Sequence, residues 1–212
     1  MSELRTGRRK YYDLFSRYYD AFIRLHSGRD EDDTRDFLVG AARLDDRRAP
    51  RVLDVCCGTG SVVLAFADRY PDALAVGYDF SRGMLNKARE KDGADRVVFV
   101  EGDAAALPFA DDSFDVVTCS HALYELKGEA RRKALAEMRR VVSPAGRVLI
   151  MEHEIPRHPV IRLLFNIRML SMGSADAHEF VKAGLTPYRT IFSQVELSHS
   201  RTGKSKLMSC QK

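Results

Sequence analysis

A loop with two glycines, Gly58-Thr59-Gly60, separates a short apolar run that contains Asp54 from a helix-forming stretch that starts at Ser61. Glycines let a backbone approach a ligand closely, and the unpaired N–H groups at the start of a helix favour an electron-rich group. A second apolar run ends in Asp79, about 20 residues beyond the glycines, where nucleoside-binding folds place a carboxylate for ribose hydroxyls. We therefore predict a nucleoside site between the loop and Asp79.

A loop that binds a dinucleotide would read Gly-x-Gly-x-x-Gly, but Val63 stands where the third glycine is needed. The loop therefore favours a ligand without a pyrophosphate group. An NAD-dependent oxidoreductase is accordingly the weaker interpretation of this stretch.

The chain has four cysteines, of which Cys56 and Cys57 are adjacent. Adjacent cysteines do not make a zinc pair, and without a secretory signal the thiols are expected to be reduced. Because small buried cysteines usually fill tight space, we predict packing here and no metal site.

Apolar runs alternate with amphipathic segments along most of the chain, which predicts parallel strands joined by crossover helices. Helices are predicted at 34–43, 61–70, 81–91 and 129–142, and strands at 51–57, 73–79, 96–101, 114–120 and 146–152. Segments 190–197 and 204–210 are predicted to close the sheet as an antiparallel hairpin. Residues 28–33 and 143–146 are predicted breaks between elements.

In a sheet of this kind, ligands bind outside the carboxyl ends of the strands, where the strand order reverses. The loop, Asp79 and the residues after the later strands all lie at such ends. The helix at 129–142 lies elsewhere, and its basic residues are predicted to form a solvated face: Arg131, Arg132, Lys133, Arg139 and Arg140.

Several motifs together resemble one family. Residues 54–60, Asp79, Gly102-Asp103-Ala104 and residues 113–117 resemble a class I S-adenosylmethionine-dependent methyltransferase. Leu107-Pro108-Phe109 and residues 112–115 are most similar to the branch that contains the ubiquinone and menaquinone C-methyltransferases. The resemblance implies an α/β, Rossmann-like fold with a seven-stranded, mostly parallel sheet, helices on both faces and a C-terminal antiparallel hairpin.

The resemblance also implies S-adenosyl-L-methionine as cofactor, with S-adenosyl-L-homocysteine as its product. It makes the first and fourth strands neighbours, so that Cys56, Cys57 and Cys119 would converge on the cofactor. The residues it implies as cofactor-binding are Tyr19, Asp54, Cys56, Gly58, Thr59, Gly60, Asp79, Phe80, Ser81, Met84, Gly102, Asp103, Ala104, Ser120 and His121. Asp79 would bind the ribose, Asp103 the adenine amino group and Met84 the adenine edge, although Met84 is equally expected in the core.

A general base helps methyl transfer when the acceptor arrives protonated. His121 and Tyr124 are the preferred catalytic candidates, because the resemblance places His121 opposite the methyl group. Glu152 and His153, after the fifth predicted strand, are the alternatives. Quinone-type relatives usually carry an Arg-Asn pair where this chain has Tyr124-Glu125, so the acceptor stays open.

Residues 11–25 carry aromatic side chains at helical spacing, which predicts an amphipathic helix. The helix is expected to pack on the domain. It has two alternative roles: covering the sulfonium with Tyr12 or Tyr19, since aromatic faces attract cations, or lying on an anionic membrane. We predict a helical cap over the active site at 1–48 and a methyltransferase domain at 49–212, forming one compact unit.

The composition of the 212 residues, 45% hydrophobic and 30% charged with a formal net charge of +4, is ordinary for a globular domain. The charge is too small to indicate nucleic-acid binding, and no apolar run approaches the roughly 20 residues that span a bilayer. We predict a cytoplasmic protein, with peripheral membrane contact as an alternative. The sequence does not indicate an oligomeric state.

The predicted function is methyl transfer to a small-molecule or lipid-like acceptor. Quinone-precursor C-methylation and phospholipid amine N-methylation are both open as the specific reaction, and residues 159–172 are expected to build the acceptor pocket. The alternative from a different class is a non-catalytic module that binds the cofactor and serves a partner protein.

Overall fold

The computed structural model describes residue 13 and residues 30–154, 179–180 and 182–212. The helices are α1 (Asp30–Ala41), α2 (Ser61–Arg69), α3 (Arg82–Asp92), α4 (Gly128–Val141) and α5 (Thr186–Arg189), with a 3-10 turn at Leu123–Glu125. The strands are β1 (Arg51–Val55), β2 (Leu74–Asp79), β3 (Val97–Glu101), β4 (Phe114–Ser120), β5 (Val142–His153), β6 (Gln194–His199) and β7 (Ser205–Gln211).

The strands form one seven-stranded sheet in the order β3-β2-β1-β4-β5-β7-β6. Strands β1 to β5 pair in parallel, and β7 pairs antiparallel with both β5 and β6. This topology confirms the predicted fold class and its C-terminal antiparallel hairpin. The strand order reverses between β1 and β4, so the carboxyl ends of these strands frame the crevice where such sheets bind ligands.

Helices cover both faces of the sheet, because successive strand residues point to opposite sides. Leu149 of β5 packs with Leu38 of α1 and Phe66 of α2 on one face. Ile150, the next residue of β5, packs with Met138 of α4 on the other face. These five side chains are fully buried, and they fix the carboxyl ends of the central strands on a rigid support.

Three predicted boundaries are wrong. Helix α1 begins at Asp30, inside the predicted break at 28–33. Residues 143–146 are not a separate turn, because β5 already starts at Val142. The pairing of β4 with β5 shifts register between Phe114 and Val116, which accommodates residues 143–146 within the strand. In the predicted strand 190–197, residues 190–193 precede β6, and Phe192 is buried in the core instead.

The predicted cap at 1–48 is described at residue 13 and from residue 30 onward. Within it, α1 packs on the face of the sheet through Leu38 and Val39. The rest of the predicted helix 11–25, with Tyr12 and Tyr19, and the predicted segment 159–172 lie outside the described residues. In the described part, no helix combines the length and the apolar character that crossing a membrane requires.

Candidate functional site

The glycine loop and Asp79 meet at the carboxyl ends of β1 and β2. The backbone N–H of Gly58 donates to Asp79 Oδ2 at 2.9 Å, and the N–H of Ser81 donates to Oδ1 at 2.8 Å. Gly58 and Gly60 have φ angles of 54° and 80°, in the left-handed region that favours glycine. The loop therefore curls over the Asp79 carboxylate.

Two buried carboxyls, Asp54 and Asp79, lie below the loop and are 1% and 5% exposed. Thr118 Oγ1 of β4 donates to Asp54 Oδ1 at 2.7 Å. Burial, opposed by this hydrogen bond, raises the pKa of Asp54 to about 7, and the nearby Asp79 raises it further. Burial likewise raises the pKa of Asp79 to about 6, although backbone N–H groups favour its charged form. A cationic or hydroxyl-bearing ligand would favour the ionised form of both.

Other predicted cofactor residues hold the loop and the start of α3. Lys91 Nζ of α3 donates to the buried Thr59 Oγ1 at 2.8 Å. Ser81 caps α3 by accepting from the Met84 N–H at 3.2 Å, and Met84 itself is 3% exposed. Phe80, between Asp79 and Ser81, is half-buried. Lys91 was not predicted, because its side chain reaches the loop only after α3 folds back along the sheet.

Asp13 also contacts this region. Its Oδ1 accepts from Ser81 Oγ at 2.7 Å and from the Gly83 N–H at 2.9 Å. Both donors lie at the start of α3, beside Asp79. This contact was not predicted, because the helical pattern of residues 11–25 concerns aromatic side chains and assigns no role to Asp13.

The carboxyl end of β3 adds Gly102, Asp103 and Ala104. The Gly102 N–H donates to the Asp79 backbone oxygen at 2.9 Å, and an added Cβ at Gly102 would lie 1.9 Å from the Tyr78 hydroxyl oxygen. That hydroxyl donates to the backbone oxygen of Asp103 at 3.3 Å. Asp103 Oδ1 accepts from the Ala105 N–H at 3.0 Å, and Ala104 is buried in the core. The three residues thus stand next to Asp79.

Arg140 of α4 anchors the loop that follows Asp103. Its guanidinium donates to Glu137, to Asp111 and to the backbone oxygens of Leu107 and Phe109, and these carboxylates raise its pKa. The predicted solvated role of Arg140 is therefore wrong. Its side chain fixes the loop that carries Asp103.

The preferred catalytic candidates lie at the carboxyl ends of β4 and β5. The His121 ring stacks on His153 with centroids 4.2 Å apart, and the Tyr124 ring lies 6.0 Å from His153. Ser120 pairs with Met151 across the two strands. Tyr124 is buried, whereas His121 is half-buried. The structure brings these side chains into one cluster, on the side of the crevice opposite β2 and β3.

The cysteines do not all converge on the crevice. Cys56 has a φ of 58° and packs against the core cluster that contains Cys119. Cys57 belongs to the cluster on the opposite face of the sheet. The prediction that Cys57 joins Cys56 and Cys119 is therefore wrong, because β1 ends at Val55 and the chain turns at Cys56.

Arg131 was predicted on a solvated face, but it is 6% exposed. Its guanidinium donates to the backbone oxygens of Leu123 at 2.9 Å and Tyr124 at 3.4 Å and lies 3.9 Å from the centroid of the Phe180 ring. Arg131 therefore holds the 3-10 turn beside His121. The spacing of Arg131 from Leu135 and Met138 marks it as core-facing, a signal that its charge obscured.

Glu152, near the end of β5, is 2% exposed. Burial raises its pKa to about 8, although Lys206, the Leu123 N–H and Arg131 favour the charged form. The geometry of that N–H falls short of a hydrogen bond, and neither carboxyl oxygen has a hydrogen-bond partner among the described residues.

We predict that the ligand-free protein loses stability as the pH rises from 5 to 8. The raised pKa values of Asp79, Asp54 and Glu152, about 6, 7 and 8, mean that the folded state binds more protons than the unfolded state in this range. In this range, each rise of one pH unit lowers the free energy of unfolding by up to about 1.4 kcal/mol for each such group. Urea unfolding at four pH values measures this slope.

The variant Glu152→Gln measures how much of this pH dependence of stability comes from Glu152. Between pH 7 and 8, Glu152 and, to a smaller extent, Asp54 still lose protons in the folded state, so Glu152→Gln should reduce the slope of the stability curve there. Glu154→Gln serves as the control, because Glu154 is paired with His199 at 3.0 Å. Greater wild-type stability at pH 8 than at pH 5 would contradict the prediction.

Comparison with known proteins gives the same domain type. Residues 52–146 match a family model described as a methyltransferase domain. A demethylmenaquinone methyltransferase from Clavibacter sepedonicus is 39% identical over 145 residues, which cover 64% of this chain and 58% of that protein. The ubiquinone/menaquinone biosynthesis C-methyltransferase UbiE of Paracoccus denitrificans (strain Pd 1222) is 39% identical over 127 residues, covering 58% of this chain and 50% of the relative. The chain thus spans little more than half the length of these relatives.

Solved structures share the fold over nearly the whole chain. Magnesium protoporphyrin IX methyltransferase (ChlM) from Synechocystis PCC 6803, solved with bound SAH, has a TM-score of 0.72 and 20% identity, covering 98% of this chain and 99% of that one. A Haloferax volcanii methyltransferase described as putative, in complex with the Trm112 activator, has a TM-score of 0.72 at 18% identity and covers 94% of this chain and 96% of that one. At these identities the likeness establishes the fold alone.

Proposed function

We propose that the protein transfers a methyl group from S-adenosylmethionine to a small-molecule acceptor, because residues 52–146 match a family model described as a methyltransferase domain. The observation that carries the proposal is the Asp79 carboxylate, which is buried under the glycine loop and hydrogen-bonded to the N–H groups of Gly58 and Ser81. Its position matches that of a carboxylate for ribose hydroxyls.

The residues present fit this cofactor. An added Cβ at Gly58 would meet no atom within 4 Å, so open space lies beside the loop. Asp54 and Asp79 hold protons to unusually high pH in the ligand-free protein, and a cationic ligand favours their ionised forms. Asp79 would hold the ribose, and Asp103 the adenine side.

When bound, S-adenosylmethionine supplies a methyl group on its sulfonium sulfur, and the acceptor attacks that methyl group in line with the carbon–sulfur bond. The chain has to hold that acceptor opposite the methyl group, exclude water and accept a proton. The β4 and β5 ends carry His121, Tyr124, Glu152 and His153 for these tasks. The glycine loop and Asp79 hold the nucleoside on the other side of the crevice.

We propose a hydroxylated aromatic acceptor of the reduced-quinone type. Two features support it: the relatives named as demethylmenaquinone and UbiE methyltransferases, and the stacked rings of His121 and His153 with Tyr124 beside them. Such rings pack well against a flat aromatic acceptor. The Tyr124-Glu125 pair distinguishes this site from the Arg-Asn pair of the quinone branch, so its contacts with the acceptor would be its own.

The experiment is to incubate the protein with methyl-labelled S-adenosylmethionine and a prenylated naphthoquinol, and separately with a whole-cell extract, and then to partition the label between organic and aqueous phases. Label in the organic phase that migrates with the methylated naphthoquinol is expected. Asp79→Ala is the control that should lose the signal. Label in the aqueous phase would indicate a polar acceptor in place of the quinol. No label above background, with normal binding of S-adenosylhomocysteine, would favour a non-catalytic module.

A further inference from the structure

Glu152 is a buried carboxyl whose two oxygens both lack a hydrogen-bond partner in the described part of the chain. Native proteins satisfy nearly all of their buried polar atoms, because leaving one unsatisfied costs free energy. Glu152 is also 2% exposed, so surrounding water does not compensate. An unsatisfied buried carboxyl therefore points to a group that arrives from outside the described residues.

The position of Glu152 suggests what that group is. Glu152 lies near the carboxyl end of β5, and its carboxyl group faces Arg131 and the N–H of Leu123 in the 3-10 turn that follows His121. The cofactor-binding candidates Gly58, Asp79 and Asp103 follow β1, β2 and β3 instead. An acceptor placed across the crevice from the nucleoside would consequently lie over the ends of β4 and β5, where Glu152 is found.

Each element packed around Glu152 contributes a titratable or charged group to its surroundings. These groups are Cys119 of β4, Glu125 of the 3-10 turn, Arg131 of α4, Tyr188 of α5 and Lys206 of β7. Lys206 and Arg131 favour the charged form of Glu152, and Glu125 opposes it. Burial outweighs the two cations, so the carboxyl is largely protonated at neutral pH and exchanges its proton near pH 8.

We propose that Glu152 binds the hydroxyl group of the methyl acceptor and takes its proton, as the general base of the transfer. The proposal rests on the proposed function and names a hydroxyl-bearing acceptor as its substrate class. It moves the proton-accepting role from His121 to Glu152, because the half-buried His121 is held by its stacking on His153, whereas the Glu152 carboxyl lacks a partner.

With a quinol as acceptor, the acceptor O–H bond breaks, and its proton passes to a Glu152 oxygen while the electron pair moves into the ring. The ring carbon forms the C–CH3 bond as the S–CH3 bond breaks, and that bonding pair stays on sulfur. The ring C–H proton then passes to the oxygen that had lost its proton, which restores the hydroxyl, and the proton held by Glu152 is released to water.

The test compares wild type, Glu152→Gln and the control Glu154→Gln with a prenylated naphthoquinol as acceptor. We expect Glu152→Gln to lower kcat by about 100-fold or more, the usual effect of removing a general base, while its affinity for S-adenosylhomocysteine stays unchanged. The wild-type rate should rise with pH, reach half of its maximum near pH 8 and level off above it, and the Glu152→Gln variant should lose that rise. Glu154→Gln should behave as wild type.

The outcomes separate the two proposals. An unchanged kcat and pH profile in Glu152→Gln, with an active wild type, overturns the role of Glu152 and leaves the methyltransferase proposal intact. A wild type that binds S-adenosylhomocysteine but labels neither the quinol nor any component of the whole-cell extract overturns both. Should Glu152→Gln not fold, difference infrared spectroscopy of the wild type decides. The band of a protonated carboxyl should shift when the quinol binds, and an unshifted band overturns the inference.

Discussion

Asp79→Ala is expected to weaken the binding of S-adenosylhomocysteine by about 100-fold or more, because hydrogen bonds to a charged group contribute roughly 1.5–3 kcal/mol each and two ribose hydroxyls lose their acceptor. The same carboxylate accepts from the Gly58 and Ser81 N–H groups, so the loop also loses its tie to β2. Isothermal titration calorimetry with the wild type and the variant measures the change.

Two further variants sharpen this experiment. Asp79→Asn keeps one carbonyl oxygen as an acceptor and should lose less affinity than Asp79→Ala. Asp72→Ala removes an exposed carboxylate that precedes the opposite end of the same strand and should leave affinity unchanged. A folded Asp79→Ala protein with wild-type affinity would remove Asp79 from the cofactor site.

Gly60→Ala is expected to destabilise the protein by about 2–4 kcal/mol, the sum of a left-handed backbone that L-residues resist and a steric overlap. Gly60 has a φ of 80°, and an added Cβ would lie 3.0 Å from Ala88 Cβ of α3 and 3.4 Å from the Phe99 ring. Ala88 is fully buried, so it has little room to give way. Chemical denaturation measures the loss.

Gly58→Ala is the matched control in the same loop. Gly58 also has a positive φ, 54°, but an added Cβ would meet no atom within 4 Å. Its cost should therefore be the backbone strain alone, about 1–2 kcal/mol. Equal losses for the two variants would show that the contact with Ala88 contributes nothing. Gly58→Ala should nevertheless reduce cofactor affinity, since the added methyl group enters the space beside the loop.

The parts of the site that depend on chain-local spacing could be predicted from the sequence. Gly58, Gly60 and Asp79 belong to one strand-loop-helix-strand unit, in which the carboxylate follows the glycines by about 20 residues. Strand β4 was predicted with its observed bounds, Phe114–Ser120, because a fully buried parallel strand reads as a continuous apolar run.

The parts that depend on packing between distant segments could not be predicted. Arg131 and Glu152 are charged residue types, which are rarely buried. Only the assembled fold shows that the Phe180 ring packs on Arg131 and that Lys206 lies near Glu152. The Lys91 contact with Thr59 spans 32 residues, and no local pattern indicates it. Cys57 was misplaced for a related reason, since the face it occupies depends on where β1 ends.

The position of β7 between β5 and β6 also determines the order in which the chain can fold during synthesis. Strands β1 to β5 can assemble as soon as they leave the ribosome, but one edge of β5 then keeps its backbone N–H and C=O groups open until Ser205–Gln211 emerges. An open edge next to a fully apolar face invites pairing with other nascent chains. Slow translation of the last segment would therefore lower the yield of folded protein, whereas ribosome pausing before β1 would not.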